Sequence, residues 1–221
     1  VIGQIVACVV GLIFQIKRNK EVKIKLKYIR FDTEIIKEVY RVGMPSMIMQ
    51  SVGSLMTFGM NTILMGLAST AAAVFGVYFK LQSFVFMPTF GLNNALVPII
   101  SYNYGAKNAK RVNHTIRLTI ITAVLIMLFG LAIFELVPGL LLSMFNASDN
   151  MMAIGKVALR IIATHFLFAG FNIISTSVFQ AIGNPIISLI ISLGRQLGIL
   201  LPAAFLLSLS GRVELVWLAF P

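Results

Sequence analysis

Long uncharged stretches alternate with short basic ones along this chain. Positions 42–79 run for 38 residues without a formal charge. A bilayer core takes about 20 apolar residues per helix, so that stretch holds one full span and part of a second. The same reading predicts five complete spans, over 42–68, 71–100, 118–137, 151–181 and 186–209, with partial spans at 1–16 and 215–221. Between them lie a polar connector at 17–41, a basic loop at 101–117, a loop without Lys or Arg at 138–150, a tight turn at 181–185 and a short loop at 210–214. Within the connector, Ile35, Ile36 and Val39 share one helical face, and Asp32 or Thr33 caps the start. That segment reads as an amphipathic helix on the membrane surface, leading into the next span. Pro45 falls at the entry of that span, where the first helical turn tolerates it. The expected division is therefore 1–16 as the end of a preceding membrane helix, 17–41 as a connector, and 42–221 as an all-α polytopic bundle.

The spans are not uniformly apolar. Ser46, Gln50, Ser54, Thr57 and Asn61 follow one another at helical steps of four and three, which places them in one stripe. His165, Asn172, Thr176 and Gln180 form a second stripe, and Ser188, Ser192 and Arg195 a third. Lys80, Ser83, Asn93 and Asn94 are the polar set of 71–100. Lipid offers no hydrogen-bond partners, so such residues face other helices or a wet cavity. Several striped helices together predict a bundle around a hydrated path, lined by Gln50, Ser54, Thr57, Asn61, Asn172 and Thr176. The competing expectation for any one of them is simple interhelical hydrogen bonding. Pro88 and Gly91 are the expected points of helix bending. Lys156 and Arg160 are expected to snorkel to an interface, and Glu135 to sit at one. Arg195 lies too deep to snorkel and has no nearby acid; it is expected to tie helices together.

Composition narrows the class. Apolar residues make up 58% of the 221 and charged residues 11%, about half the charge of a soluble domain. Mean hydropathy is +0.94. Disorder, a coiled coil and a soluble enzyme are excluded on these grounds. The net charge of +11 does not point to nucleic acid, because nine of the 18 basic residues lie in 17–41 and four more in 101–117. Basic loops flanking apolar spans follow the positive-inside pattern, which puts 17–41 and 101–117 in the cytoplasm. The first 16 residues lack the basic start and the cleavage site of a signal peptide. Both ends fall in apolar runs, so the chain reads as a piece of a larger membrane protein.

Catalytic chemistry is not expected. One cysteine, Cys8, lies in an apolar run. Neither His114 nor His165 has acids or cysteines at ligand spacing, so no metal site is predicted. No nucleophile–base pair, paired carboxylate or phosphate loop is present. No acid lies between Glu38 and Glu135 or between Asp149 and Glu214, which leaves no carboxylate in these spans for proton or sodium coupling.

Several local sequences carry a family resemblance. They are Val42-Gly43-Met44-Pro45, Met87-Pro88 through Gly91-Leu92, and Ser101-Tyr102-Asn103-Tyr104-Gly105-Ala106. With them go Phe179-Gln180-Ala181-Ile182-Gly183, Gly194-Arg195-Gln196 followed by Pro202, and Val216-Trp217-Leu218-Ala219-Phe220-Pro221. Across essentially its whole length the chain resembles the C-terminal lobe of bacterial MATE (multidrug and toxic compound extrusion) transporters. The resemblance implies twelve helices in two six-helix lobes, of which this chain carries the end of the sixth to the start of the twelfth. It implies an antiporter of the inner plasma membrane, not an enzyme, that exports small cationic or amphipathic compounds by alternating access. No cofactor is implied beyond the coupling ion, H+ or Na+. Some branches carry a carboxylate in the seventh helix, whose position falls at or near Gly53 here, and the tenth helix here has no acid. Coupling is therefore expected to rest on the missing N-terminal lobe, the partner this lobe requires besides the bilayer and substrate. The rival within the same superfamily is a lipid-linked oligosaccharide flippase or polysaccharide exporter, which handles anionic substrates and should present several basic residues to its cavity. A channel should show a filter repeat or a ring of like charges, and neither is visible.

Overall fold

A computed structural model describes residues 2–18 and 31–221, and every regular element among them is helical. Residues 19–30 of the expected basic connector lie outside the described residues. The chain divides into two compact units, Val1–Arg41 and Val42–Pro221.

In the first unit, helix α1 (Ile2–Arg18) is uncharged until Lys17 and Arg18 in its last turn, where cations meet the negative end of the helix dipole. The Arg18 guanidinium sits 6.0 Å from the centre of the Phe14 ring. Large apolar side chains such as Ile2, Ile5, Val6 and Phe14 are exposed, as is the free Cys8. Helix α2 (Thr33–Leu67) starts at an Asp32 cap, whose Oδ1 accepts from the Glu34 and Ile35 amides at 2.9 and 3.3 Å. The separate surface helix expected over 32–40 is instead the first part of α2. Pro45 consequently sits inside a helix rather than in its first turn.

The second unit continues with α3 (Ser69–Gly105), α4 (Ala109–Leu136), the short α5 (Pro138–Ser143), α6 (Asp149–Ala163), α7 (Phe166–Ala181) and α8 (Pro185–Leu193). A π-helical segment (Gly194–Leu200), α9 (Leu201–Ser208), α10 (Val213–Val216) and a 3-10 turn (Trp217–Ala219) complete it. Among the described residues, three helical runs are long and apolar enough to cross a bilayer: Ser69–Gly105, Ala109–Leu136 and Pro185–Ser208. A fourth is the pair α6 and α7, bent by 47°. The sequence led us to expect five. The difference is α2, whose apolar content is diluted by Gln50, Ser54, Thr57 and Asn61.

Two corrections concern boundaries. The basic loop expected over 101–117 is mostly helix, because α3 runs to Gly105 and α4 begins at Ala109. Lys107 takes a left-handed φ of 55°, and Asn108 caps α4 by accepting the Arg111 amide at 3.1 Å. The single helix expected over 151–181 is broken at Thr164 and His165. The tight turn at 181–185 is as expected: Gly183 takes φ +85°, and the Asn184 amide donates back to the Phe179 carbonyl at 2.9 Å.

Trp217, Phe75, Tyr78, Phe134, Phe166, Met60 and Leu64 form the larger core cluster, and Leu96, Ile100, Val112, Ala123 and Ile174 a smaller one. Outside them the surface is apolar, with Phe84, Leu125, Phe129, Ile199 and Leu206 all exposed. That inversion of the soluble pattern fits a lipid-facing girdle. Helix α4 packs closely on α7 because Gly170 has no side chain. A Cβ there would come 2.9 Å from Met127 Cγ and 3.3 Å from the Ala123 carbonyl oxygen.

That contact is testable. Gly170→Val should destabilise the protein by about 1–3 kcal/mol, because backbone cannot yield as a side chain can. Gly76→Val, at an exposed site where a Cβ would meet nothing within 4 Å, should cost less than about 0.5 kcal/mol. Thermal unfolding of the detergent-solubilised protein checks both.

Candidate functional site

The α2 stripe is only partly covered in the second unit. Gln50 and Ser54 are exposed, and Thr57 and Asn61 are half-buried. Thr57 Oγ1 donates to the Gly53 carbonyl at 2.9 Å, one turn back. On α7, Asn172 and Thr176 are half-buried, and Thr176 Oγ1 donates to the carbonyls of Asn172 and Ile173 at 2.9 and 3.0 Å. The two threonines are thus satisfied inside their own helices. Gln180 Nε2 lies 3.7 Å from Met49 Sδ, which brings the end of α7 against the first half of α2.

Polar residues elsewhere serve packing. Ser188 is fully buried and its hydroxyl donates to the Thr176 carbonyl, joining α8 to α7. Ser101 Oγ donates to the Ala181 carbonyl at 2.8 Å, joining α3 to the end of α7. Lys80 is exposed and lies 5.9 Å from the centre of the Phe145 ring. Arg160 pairs with Glu135 at 3.8 Å, both well exposed, as residues at an interface would be.

A groove of about 790 Å³ lies away from the polar stripe. It runs between α2 and the last span, lined by Phe58, Gly59, Thr62, Leu197, Leu201 and Phe205 among others. Gly59 and Gly66 lie on the face of α2 opposite Thr57 and Asn61. Pro202, exposed at the start of α9, also borders it. Helix α3 continues unbroken through Pro88 and Gly91, both of them exposed.

Arg195 occupies the π-helical segment and is half-buried. Its guanidinium acts electrostatically on Tyr78 of α3 and on His165 at the α6–α7 break. The His165 ring is buried against Phe86, Phe166 and Phe220, with its Nδ1 on the Ile162 carbonyl. Tyr78 Oη, Gln196 Oε1 and Trp217 Nε1 are buried without a hydrogen-bond partner. Helix α2 passes this cluster at Gly53, where a Cβ would stand 3.9 Å from Gln196 Oε1. Among the described residues no carboxylate pairs with Arg195. Tyr78 escaped the sequence reading, and Gln196 and Trp217 entered it only through the family resemblance, not as buried polar groups. Tyrosine and tryptophan carry little polar signal in hydropathy, and nothing local shows that their polar atoms end up enclosed.

Comparison with known proteins places this geometry. The MatE family model matches residues 45–206. Multidrug export protein MepA of Staphylococcus saprophyticus is 25% identical over 217 residues, covering 98% of this chain and 48% of that protein. MepA of Staphylococcus aureus strain MSSA476 is 23% identical over 218 residues, again covering 98% and 48%. The chain thus spans about half the length of the curated relatives it matches. Among solved structures, a MATE protein in its straight conformation aligns with a TM-score of 0.88 at 23% identity, over 97% of this chain and 49% of the other. A MOP-superfamily transporter from Pyrococcus furiosus, described as having a binding pocket of reverse polarity, aligns with a TM-score of 0.87 at 23% identity, over the same shares of the two chains.

The unpaired guanidinium makes a prediction about stability. A charge held in apolar surroundings without a counter-ion costs more than a packed apolar side chain. Arg195→Met should therefore raise the stability of the solubilised protein, by about 1 kcal/mol. Glu135→Gln, which breaks only an exposed pair, should shift it by less than about 1 kcal/mol. Thermal melts of the two variants in the same detergent compare them.

Proposed function

Because the chain belongs to the MatE family, we propose that it is the C-terminal lobe of a two-lobe secondary transporter, and that the complete protein exports small cationic or amphipathic compounds by proton- or sodium-coupled antiport. The observation that carries this reading is the alignment of 98% of the chain with half of a multidrug export protein. The uncovered stripe of α2 supports it. Gln50, Ser54, Thr57 and Asn61 offer polar contacts on a face the lobe itself leaves open, and Asn172 and Thr176 lie on a neighbouring helix. A second lobe facing this one would enclose a cavity between them.

Charge argues for where coupling takes place. Gly53, at or near the position of a seventh-helix carboxylate in some branches, passes beside Gln196, next in sequence to Arg195. A guanidinium in this region disfavours a bound cation, and among the described residues no carboxylate pairs with it. Coupling through the N-terminal lobe is the reading this supports. Orientation follows from the basic ends, with 101–117 cytoplasmic and the protein in the inner plasma membrane. The flippase reading is weaker, because Arg195 is the one basic residue deep in these spans, whereas an anionic substrate would call for several.

Dye-cation efflux from cells expressing the full-length gene, with proton and sodium gradients collapsed separately, tests the function. Loss of efflux with one gradient names the ion; no gradient-dependent efflux of any cationic dye moves the assignment to the flippase. The lining is tested in the same assay. Alanine at Gln50, Asn61 and Asn172 together should lower export about tenfold at unchanged expression, the loss of about 1.4 kcal/mol of substrate interaction. Unchanged dye affinity and export would remove these residues from the cavity.

A further inference from the structure

A second, smaller cleft of about 330 Å³ opens where α3 ends and α4 begins, lined by Pro98, Ile99, Tyr102, Asn103 and Arg111. Its walls are graded. Pro98 and Ile99 lie one helical turn nearer the middle of α3 than Tyr102 and Asn103, so the floor is apolar and the mouth polar. Tyr102 is 77% exposed, as an amphipathic ring at a membrane interface would be. Asn103 is buried and braces the cleft. Its Nδ2 donates to the Ile99 carbonyl at 2.7 Å, and its own carbonyl accepts the Asn108 amide at 2.9 Å. Asn108 in turn caps α4 by accepting the Arg111 amide. The turn is thereby fixed so that Arg111, from the first turn of α4, borders the groove made by α3.

The charge there is uncompensated. Lys107, Lys110, Arg111 and Arg117 lie in this short region, and the sequence holds no acid between Glu38 and Glu135. The ion pair of the described residues, Arg160 with Glu135, is elsewhere. The positive end of the α4 dipole adds to the same field. An arginine and an exposed tyrosine bordering a mostly apolar cleft, at the end of a membrane span, match an amphiphile with an anionic head.

We propose that this cleft binds the headgroup of an anionic phospholipid. The phosphate sits on Arg111 and the Tyr102 hydroxyl, and the first carbons of the lipid lie over Pro98 and Ile99. Arg111 supplies a planar, bidentate phosphate contact that the neighbouring lysines cannot. The site is independent of what the complete protein transports.

Native mass spectrometry of the full-length protein, released from detergent with equal phosphatidylglycerol and phosphatidylcholine, tests it. The wild type should retain phosphatidylglycerol about fivefold over phosphatidylcholine, as expected where a basic pocket adds to diffuse surface charge. Arg111→Gln should abolish that preference, and Arg111→Lys should keep part of it. Tyr102→Phe, which removes one hydroxyl from an exposed ring, should weaken it without disturbing the fold. Lys107→Gln and Lys110→Gln, outside the cleft, should leave it intact. Equal losses from Lys110→Gln and Arg111→Gln would mean diffuse attraction and overturn the proposal, as would the absence of any lipid preference. Displacement of the lipid by millimolar inorganic phosphate would reassign the cleft to free phosphate and overturn it too.

Discussion

Lipid tails are as apolar as leucine, so burying leucine between two membrane helices gains little; such helices hold together by close packing and by hydrogen bonds that lipid cannot supply. The approach of α4 to α7 across Gly170, where an added Cβ would crowd Met127 Cγ and the Ala123 carbonyl, shows that constraint. Gly130 does the same between α4 and Val85 of α3. Serine hydroxyls reach backbone carbonyls of α7 from both sides: Ser188 of α8 reaches Thr176, and Ser101 of α3 reaches Ala181. The rest of the lobe is arranged around α3, α4 and α7.

Polar side chains then sort into three kinds. Threonines such as Thr57, Thr119 and Thr176 bond back into their own helix and ask nothing of their neighbours. Serines 101 and 188 stitch helices together. The remaining kind is buried without a hydrogen-bond partner: Tyr78, Thr89, Asn93, Gln196 and Trp217. Unsatisfied polar groups are costly in a low dielectric. The apolar groove on the other face of α2 has no such demand.

The irregular backbone falls among these groups. The 47° break between α6 and α7 carries His165, and the π-helical segment carries Arg195 and Gln196. Arg195 acts electrostatically on both His165 and Tyr78. A π segment leaves the usual bonding pattern locally and recurs at functional sites. Helix α3, which contains two prolines, stays unbroken.

Local chemistry determined much of this protein from the sequence. Hydropathy located four of the five expected spans, the Asp32 cap and the turn at Gly183 followed from side-chain and backbone preferences, and the basic ends stood out by composition. The α2 stripe was legible because a period of 3.6 residues needs no neighbour to be seen. What the sequence left open was non-local. Whether a serine stitches helices or lines a path depends on what stands opposite, and Ser188 and Gln50 look alike until α7 is in place. The break at His165 has no proline beside it, whereas the π turn at Arg195 lies just before Pro202, which lacks the N–H that would bond the Gly198 carbonyl. Only the packing of α3 and α7 against the last span decided that Tyr78, His165 and Arg195, more than a hundred residues apart from first to last, would share one apolar interior.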